Sequence, residues 1–243
     1  MKKSSQVDIL TGLLYIHAKD GYGGRYLPNG MNHSSFIVEE GLPFIIPPGV
    51  ATLIAFFTGF AWVTVLLFLI TLFVAWFFRN PERTMPDNPV QIVSPADGRV
   101  IRIEETTSEA QPGRSFLKIS IFMNVFNVHV NRIPYSGEIY AIRYKPGKFL
   151  SANLDKASAL NERNTVMIRT DDGREIMTVQ IAGLIARRII CWLKEGTKVK
   201  KGERFGLIRF GSRVEVFLPL GATLLVKNGD RVKAGETPIG ELT

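Results

Sequence analysis

The chain has 243 residues, with 30 Lys and Arg against 22 Asp and Glu, a formal charge of +8. That length allows one catalytic domain plus an appendage, and the basic excess calls for anionic partners such as nucleic acid, an acidic membrane or phosphorylated substrates. The single cysteine, Cys191, excludes an intrachain disulfide and a paired-cysteine metal site; placed between Ile190 and Trp192, it reads as an inert core thiol.

Residues 1–41 read as a flexible extension. Asp20-Gly-Tyr-Gly-Gly24 and Pro28-Asn-Gly30 are turn-rich, and no apolar period is sustained. Translation is expected to begin at Met31, which makes residues 1–30 dispensable.

Residues 42–79 are the expected membrane segment, since no charge occurs from Phe44 to Phe78. The stretch Phe60–Phe78 is long enough to cross a hydrocarbon core of about 30 Å as a helix. Ahead of it, Pro47, Pro48 and Gly49 interrupt the run, so the earlier part is a shorter pass in a hairpin broken near Gly59, or a re-entrant piece. Trp62 and Trp76 suit interfacial anchoring, and Arg79 and Arg83 follow where Glu39 and Glu40 precede. That bias places the C-terminal bulk on the cytoplasmic side of the cell membrane. A cleaved signal peptide does not fit a run this far into the chain.

A Pro-rich linker, 80–93, leads into a domain spanning 94–243. Short β-like runs recur there between turn signals: Arg99–Glu104, Phe116–Ile133, Gly137–Tyr144, Asn164–Thr170, Glu175–Ala182, Arg204–Leu218 and Ala222–Leu225. Asn153–Asn161 is the best helical candidate. The fold class is therefore β-dominated, with barrel-sandwich-like hairpins and few short helices. Asp97-Gly-Arg-Val100 and Asn228-Gly-Asp-Arg-Val232 open similar hairpins.

Of three histidines, His17 and His33 lie in the extension and His129 alone lies in the domain. Read as a strand, Val125–Arg132 puts Asn127, His129 and Asn131 on one face. His129 is then either held by hydrogen bonds or a plain surface histidine. Asp97, in Ser94-Pro-Ala-Asp-Gly98, reads as an Asp-Gly turn or as the carboxylate that orients His129.

The segment Phe205-Gly-Leu-Ile-Arg-Phe-Gly-Ser-Arg-Val-Glu-Val-Phe-Leu218 is expected as one unbroken strand with Gly211 and Ser212 in its middle. Counting by twos, Ser212 shares the apolar face with Ile208, Phe210, Val214, Val216 and Leu218. Arg209, Gly211, Arg213 and Glu215 take the other face. A glycine bulge with a hydroxyl bonded to a carbonyl would satisfy this pattern. A GxSxG nucleophile elbow is absent, so the nearest electrophile for an inward serine is the Gly211 carbonyl. Attack there, with proton removal by a base, turns the peptide bond into an ester. A side chain at 211 would crowd the tetrahedral intermediate. Elimination leaves dehydroalanine, which hydrolyses to a pyruvoyl group, a ketone able to act as an electron sink toward an amine.

Seven motifs carry a family resemblance: Glu40-Gly-Leu-Pro-Phe44, Phe78-Arg-Asn-Pro-Glu-Arg83, Ser94-Pro-Ala-Asp-Gly98, Phe122-Met-Asn-Val-Phe-Asn-Val-His-Val-Asn-Arg132, Tyr144-Lys-Pro-Gly-Lys148, Asn161-Glu-Arg163 and Arg209-Phe-Gly-Ser-Arg213. In this order they resemble the short, membrane-anchored type of phosphatidylserine decarboxylase proenzyme, over residues 36–243. The resemblance implies self-cleavage between Gly211 and Ser212 into a β subunit (1–211) and an α subunit (212–243) that stay together as a heterodimer. Ser212 would become the pyruvoyl cofactor and form a Schiff base with phosphatidylserine in an anionic membrane, yielding phosphatidylethanolamine. His129 would be the base and Asp97 its orienting partner, with no metal, pyridoxal phosphate or nucleic acid involved. Two departures stand out: Phe126 occupies a position where the longer type has a histidine, and Arg213 one where it has threonine. Arg99, Arg132 and Lys148 are the phosphate candidates, on charge alone. The other reading is a membrane-anchored biotinyl- or lipoyl-like carrier, from the Lys227–Gly240 hairpin and Lys156, although no Met-Lys-Met occurs.

Overall fold

The apolar run folds as two helices. In a computed structural model, which describes residues 35–152, 160–184, 188–209 and 211–242, a 3-10 turn (Glu39–Gly41) leads into α1 (Leu42–Phe57), and α2 (Ala61–Phe77) follows. Met31, His17, His33, Lys156 and most of the Asn153–Asn161 helix candidate lie outside the described residues. Gly59 takes φ +82°, which turns the chain between the helices.

The helices run back to back: Thr52 Oγ1 lies 3.5 Å from Thr71 Oγ1, and Phe44 stacks on Phe78 at 5.6 Å. The hairpin alternative is therefore the one realised. α1 continues through Pro47 and Pro48 instead of being cut short there. Glu39–Phe57 is the element long and apolar enough to cross a membrane, and Ala61–Phe77 is shorter; Phe60–Phe78 had been expected to be that span. The flanks meet as well, with Val38 N–H donating to the Phe78 carbonyl and Trp192 Nε1 to Glu40 Oε1. Both ends of the hairpin thus leave on one side, so the contrast between Glu39/Glu40 and Arg79/Arg83 does not sort two faces of a bilayer.

Among the described residues, fourteen strands follow. They are β1 (Gln91–Val93), β2 (Gly98–Ser108), β3 (Gln111–Met123), β4 (Val130–Arg132), β5 (Gly137–Lys145), β6 (Arg163–Arg169) and β7 (Glu175–Ala182). After these come β8 (Ile189–Cys191), β9 (Lys198–Val199), β10 (Arg204–Ile208), β11 (Ser212–Pro219), β12 (Ala222–Leu224), β13 (Arg231–Val232) and β14 (Pro238–Leu242). One sheet has eight strands in the order β13-β2-β3-β11-β7-β6-β5-β9; two three-stranded sheets are β1-β14-β12 and β4-β10-β8. The two similar hairpin openings pair with each other, Arg99 opposite Arg231 and Gly98 opposite Val232.

Two expected strands are broken. Phe116–Ile133 ends its pairing at Met123, turns, and resumes as β4 in another sheet. Arg204–Leu218 divides into β10 and β11, which also belong to different sheets. The pattern was continuous because both pieces are apolar. The break comes from Gly211, whose φ of +70° no strand residue adopts.

β11 is the central strand, with Ser212 opposite Met123 on β3 and Ala182 on β7. One face joins Val214, Val216 and Leu218 to Ile119, Ile121, Met123, Ile208 and Ile239 in the main core; each such buried side chain is worth about 1.5–3 kcal/mol. The other face is equally dry: Arg213 and Glu215 are buried and pair at 3.4 Å, and Ser120 Oγ donates to Glu215 Oε1 at 3.3 Å. Arg213 is thus matched by a charge within its own strand. Removing one partner leaves a buried charge, so Glu215→Leu should cost about 3 kcal/mol, read as a lowered thermal midpoint, whereas Arg213→Met with Glu215→Leu should recover most of it.

Candidate active site

Two asparagines build the turn that carries the histidine. Asn124 Oδ1 accepts from Phe126 N–H at 2.9 Å, and Asn127 Oδ1 accepts from Asn124 N–H at 2.9 Å. The chain reverses within four residues, and His129 enters the interior from a connection, only 2% exposed. The expected strand face of Asn127, His129 and Asn131 does not form, because the chain turns at 125–127 and 124–129 belongs to no strand. Phe126, by contrast, is 66% exposed and packs edge-on against Phe73 of α2 at 6.2 Å.

The imidazole is held on three sides. Nδ1 lies 3.0 Å from the Asn127 carbonyl, which only accepts, so Nδ1 carries the proton. Nε2 therefore presents a lone pair, and Gly211 N–H points to it at 3.4 Å. The Phe77 ring covers the imidazole face at 4.2 Å. Burial pushes the pKa down to about 3; the bond to Asn127 opposes this and the nearby Arg79 charge adds to it. The ring is a neutral free base at physiological pH, with its basic nitrogen on the residue before Ser212.

Ser212 is fully buried, and its Oγ donates to Met123 Sδ at 3.4 Å. The carbonyl oxygen of Gly211 rests against Gly183, where a built Cβ would overlap it. Gly211 takes a φ of +70°, a conformation that by itself favours glycine there.

Asp97 is brought to a different set of partners. Its carboxylate accepts from Arg83 Nη2 at 3.0 and 3.1 Å and from Ala234 N–H at 2.8 Å, while both ring nitrogens of His129 are occupied elsewhere. Arg83 also reaches Glu236 at 3.4 Å. Residues 80–93, expected as a linker, are therefore bound to the domain at Arg83, at Pro81 (whose carbonyl accepts from Arg132) and through β1. Arg132 further donates to the Gly202 carbonyl, and burial lowers its pKa to about 10. Arg99 donates to the Gly229 carbonyl, and Lys148 is exposed. Cys191 is buried and free, with burial raising its pKa to about 11, which suits an inert thiol.

Sequence reading passed over Met123, Phe77 and Gly183. Phe77 and Gly183 reach the site across the fold with no local signal to mark them, whereas Met123 lies within the Phe122–Arg132 motif but was not singled out there.

Fold and site together define an antiparallel β enzyme domain with a helical apolar hairpin packed against the corner that holds His129. A profile of the family described as phosphatidylserine decarboxylase matches residues 70–240. The chain is 61% identical over 211 residues to the phosphatidylserine decarboxylase proenzyme of Syntrophus aciditrophicus, covering 86% of this chain and 99% of that protein. It is 47% identical over 206 residues to the proenzyme of Desulfotalea psychrophila and 47% over 209 to that of Burkholderia cenocepacia; each match covers 85% of this chain and 96% of the relative. The chain belongs to the phosphatidylserine decarboxylase family and is an enzyme of that class. The carrier alternative falls with that finding.

Two outcomes follow from the geometry. Gly183→Ala pushes on the Gly211 carbonyl and should slow any reaction at that bond by about 100-fold, read by gel as persisting full-length chain while thermal unfolding stays cooperative. Because the folded pKa of His129 lies below its unfolded value near 6.5, the unfolded chain binds the extra proton between pH 6.5 and 3. Stability should therefore fall as pH drops through that window, by up to about 1.4 kcal/mol per pH unit. His129→Gln should flatten this part of a melting-versus-pH curve.

Proposed function

We propose that the chain is a precursor that cuts itself between Gly211 and Ser212, and that the ketone left on residue 212 decarboxylates phosphatidylserine. The observation that carries this reading is the His129 Nε2 lone pair placed on the Gly211 amide, one residue from a fully buried serine. Rotation about the Ser212 side chain takes Oγ off the Met123 sulfur toward the Gly211 carbonyl. His129 accepts the hydroxyl proton and returns it to the nitrogen of residue 212 as the C–N bond breaks. Gly183 keeps the attacked carbonyl from turning away. A pyruvoyl group derived from Ser212 would be held at the start of β11 and would supply an electron sink for decarboxylation of an amine substrate.

In this reading the α piece (212–243) stays with the β piece (1–211). β11 lies between β3 and β7, β13 pairs with β2, and β14 pairs with β1. Asp97 and Arg83 serve the same seam, since their partners Ala234 and Glu236 lie in the α piece. The hairpin, with Phe57 82% and Trp62 89% exposed at its tip, seats in the cell membrane, and the basic domain faces an anionic cytoplasmic leaflet.

Denaturing gels with intact-mass measurement test the reading. The purified chain should appear as two pieces, the smaller with a carbonyl-bearing blocked N-terminus, and should release carbon dioxide from phosphatidylserine vesicles. Ser212→Ala and His129→Ala should remain one piece and lose activity by at least about 1000-fold. An active protein with an unbroken chain through residues 211 and 212 sinks it.

A further inference from the structure

A file of buried amides crosses the core and ends beside Ser212. Asn164 Nδ2 donates to Gln180 Oε1 at 3.1 Å, and Gln180 Nε2 donates to Asn131 Oδ1 at 2.9 Å. Asn131 Nδ2 then meets Met123 Sδ at 3.8 Å, the sulfur that also receives Ser212 Oγ at 3.4 Å. Asn131, Gln180, Met123 and Ser212 are fully buried. The bonds run head to tail, so each polarises the next and the last N–H2 is the strongest donor of the file.

That donor faces a thioether, a poor acceptor. The serine hydroxyl beside it faces the same sulfur, leaving its oxygen lone pairs undonated among the described residues. Burying amides in an apolar layer costs on the order of 1–3 kcal/mol each unless they are well bonded. A file needed only for packing would end on a carbonyl or be replaced by valine or leucine. This one ends as an underused donor next to the oxygen whose bonding changes in the proposed self-cleavage.

We infer that Asn131 is a further catalytic residue in the second half of self-cleavage, donating to Oγ as the ester comes apart. The inference rests on the self-cleavage reading above. In the first half, Oγ bonds to the Gly211 carbonyl carbon, the C–N bond breaks, and the hydroxyl proton ends on the nitrogen of residue 212. In the second half a base, His129, removes the Cα proton of residue 212. That C–H pair becomes the Cα=Cβ bond, and the Cβ–Oγ pair departs with Oγ, now one oxygen of the Gly211 carboxylate. Proton return converts the resulting enamine to an imine, and water replaces its nitrogen, which leaves as ammonia. The only new anion is that carboxylate, formed in a dry layer. Asn131, turning from the sulfur, meets it with an N–H backed by Gln180 and Asn164.

Hydroxylamine distinguishes the two halves, because it cleaves esters and spares peptide bonds. Asn131→Leu and Asn131→Ser should slow elimination by about 100-fold, so that the uncut chain accumulates as ester. Neutral hydroxylamine should then split it into two pieces, the smaller beginning with an unmodified Ser212 by intact mass. The inference is overturned if either folded Asn131 variant matures at the parent rate, or stays uncut and resists hydroxylamine, which marks a block at the amide. Failure of the parent chain to form two pieces would instead remove the self-cleavage reading itself.

Discussion

The bond from His129 Nδ1 to the Asn127 carbonyl is the constraint on which the site depends. It leaves the ring one protonation pattern, with the lone pair on Nε2 and that nitrogen on the Gly211 amide. Without it, a ring buried under Phe77 could present either nitrogen to the reactive corner. Burial then keeps the ring uncharged, since an imidazolium would lose its water and sit near the Arg79 charge. Position and charge state thus come from one short turn, Asn124–Asn127, and from the helix end packed over it.

Gly211 is the second element of the same device. Its positive φ ends one strand and starts another in a different sheet, which frees its N–H to point at His129 and presses its carbonyl on Gly183. On its far side, Ser212 opens a strand paired on both edges, so its backbone is held firmly while the bond before it is not in a ladder. In the proposed self-cleavage, a rigid side next to a released side suits the bond that breaks.

The apolar hairpin is also packed into the domain. Phe77 and Phe78, at the end of α2, are buried with Val38, Val128, Val130, Ile190 and Leu207 in a cluster that joins hairpin to domain. Phe77 touches the histidine directly. In the proposed function, a lipid held beside α2 would therefore be close to the reactive corner, consistent with a substrate that never leaves the membrane.

The sequence alone determined the β-dominated class, the apolar segment, the inward serine after glycine and the lone domain histidine, because each is a local property of composition, period or count. It also supplied the family motifs. It misread two strands as continuous, since apolar alternation does not report a change of sheet. It placed the histidine on a strand face, since Asn side chains that fold back on their own backbone leave no period. It joined Asp97 to His129, whereas ion pairing with Arg83 and the Ala234 amide takes that carboxylate. Tertiary structure decided which nitrogen of His129 is basic, that Gly183 backs the carbonyl, and that Asn131, Met123 and Ser212 converge. These contacts join the eight-stranded sheet to the β4-β10-β8 sheet, and only the packing of those two sheets brings the residues together.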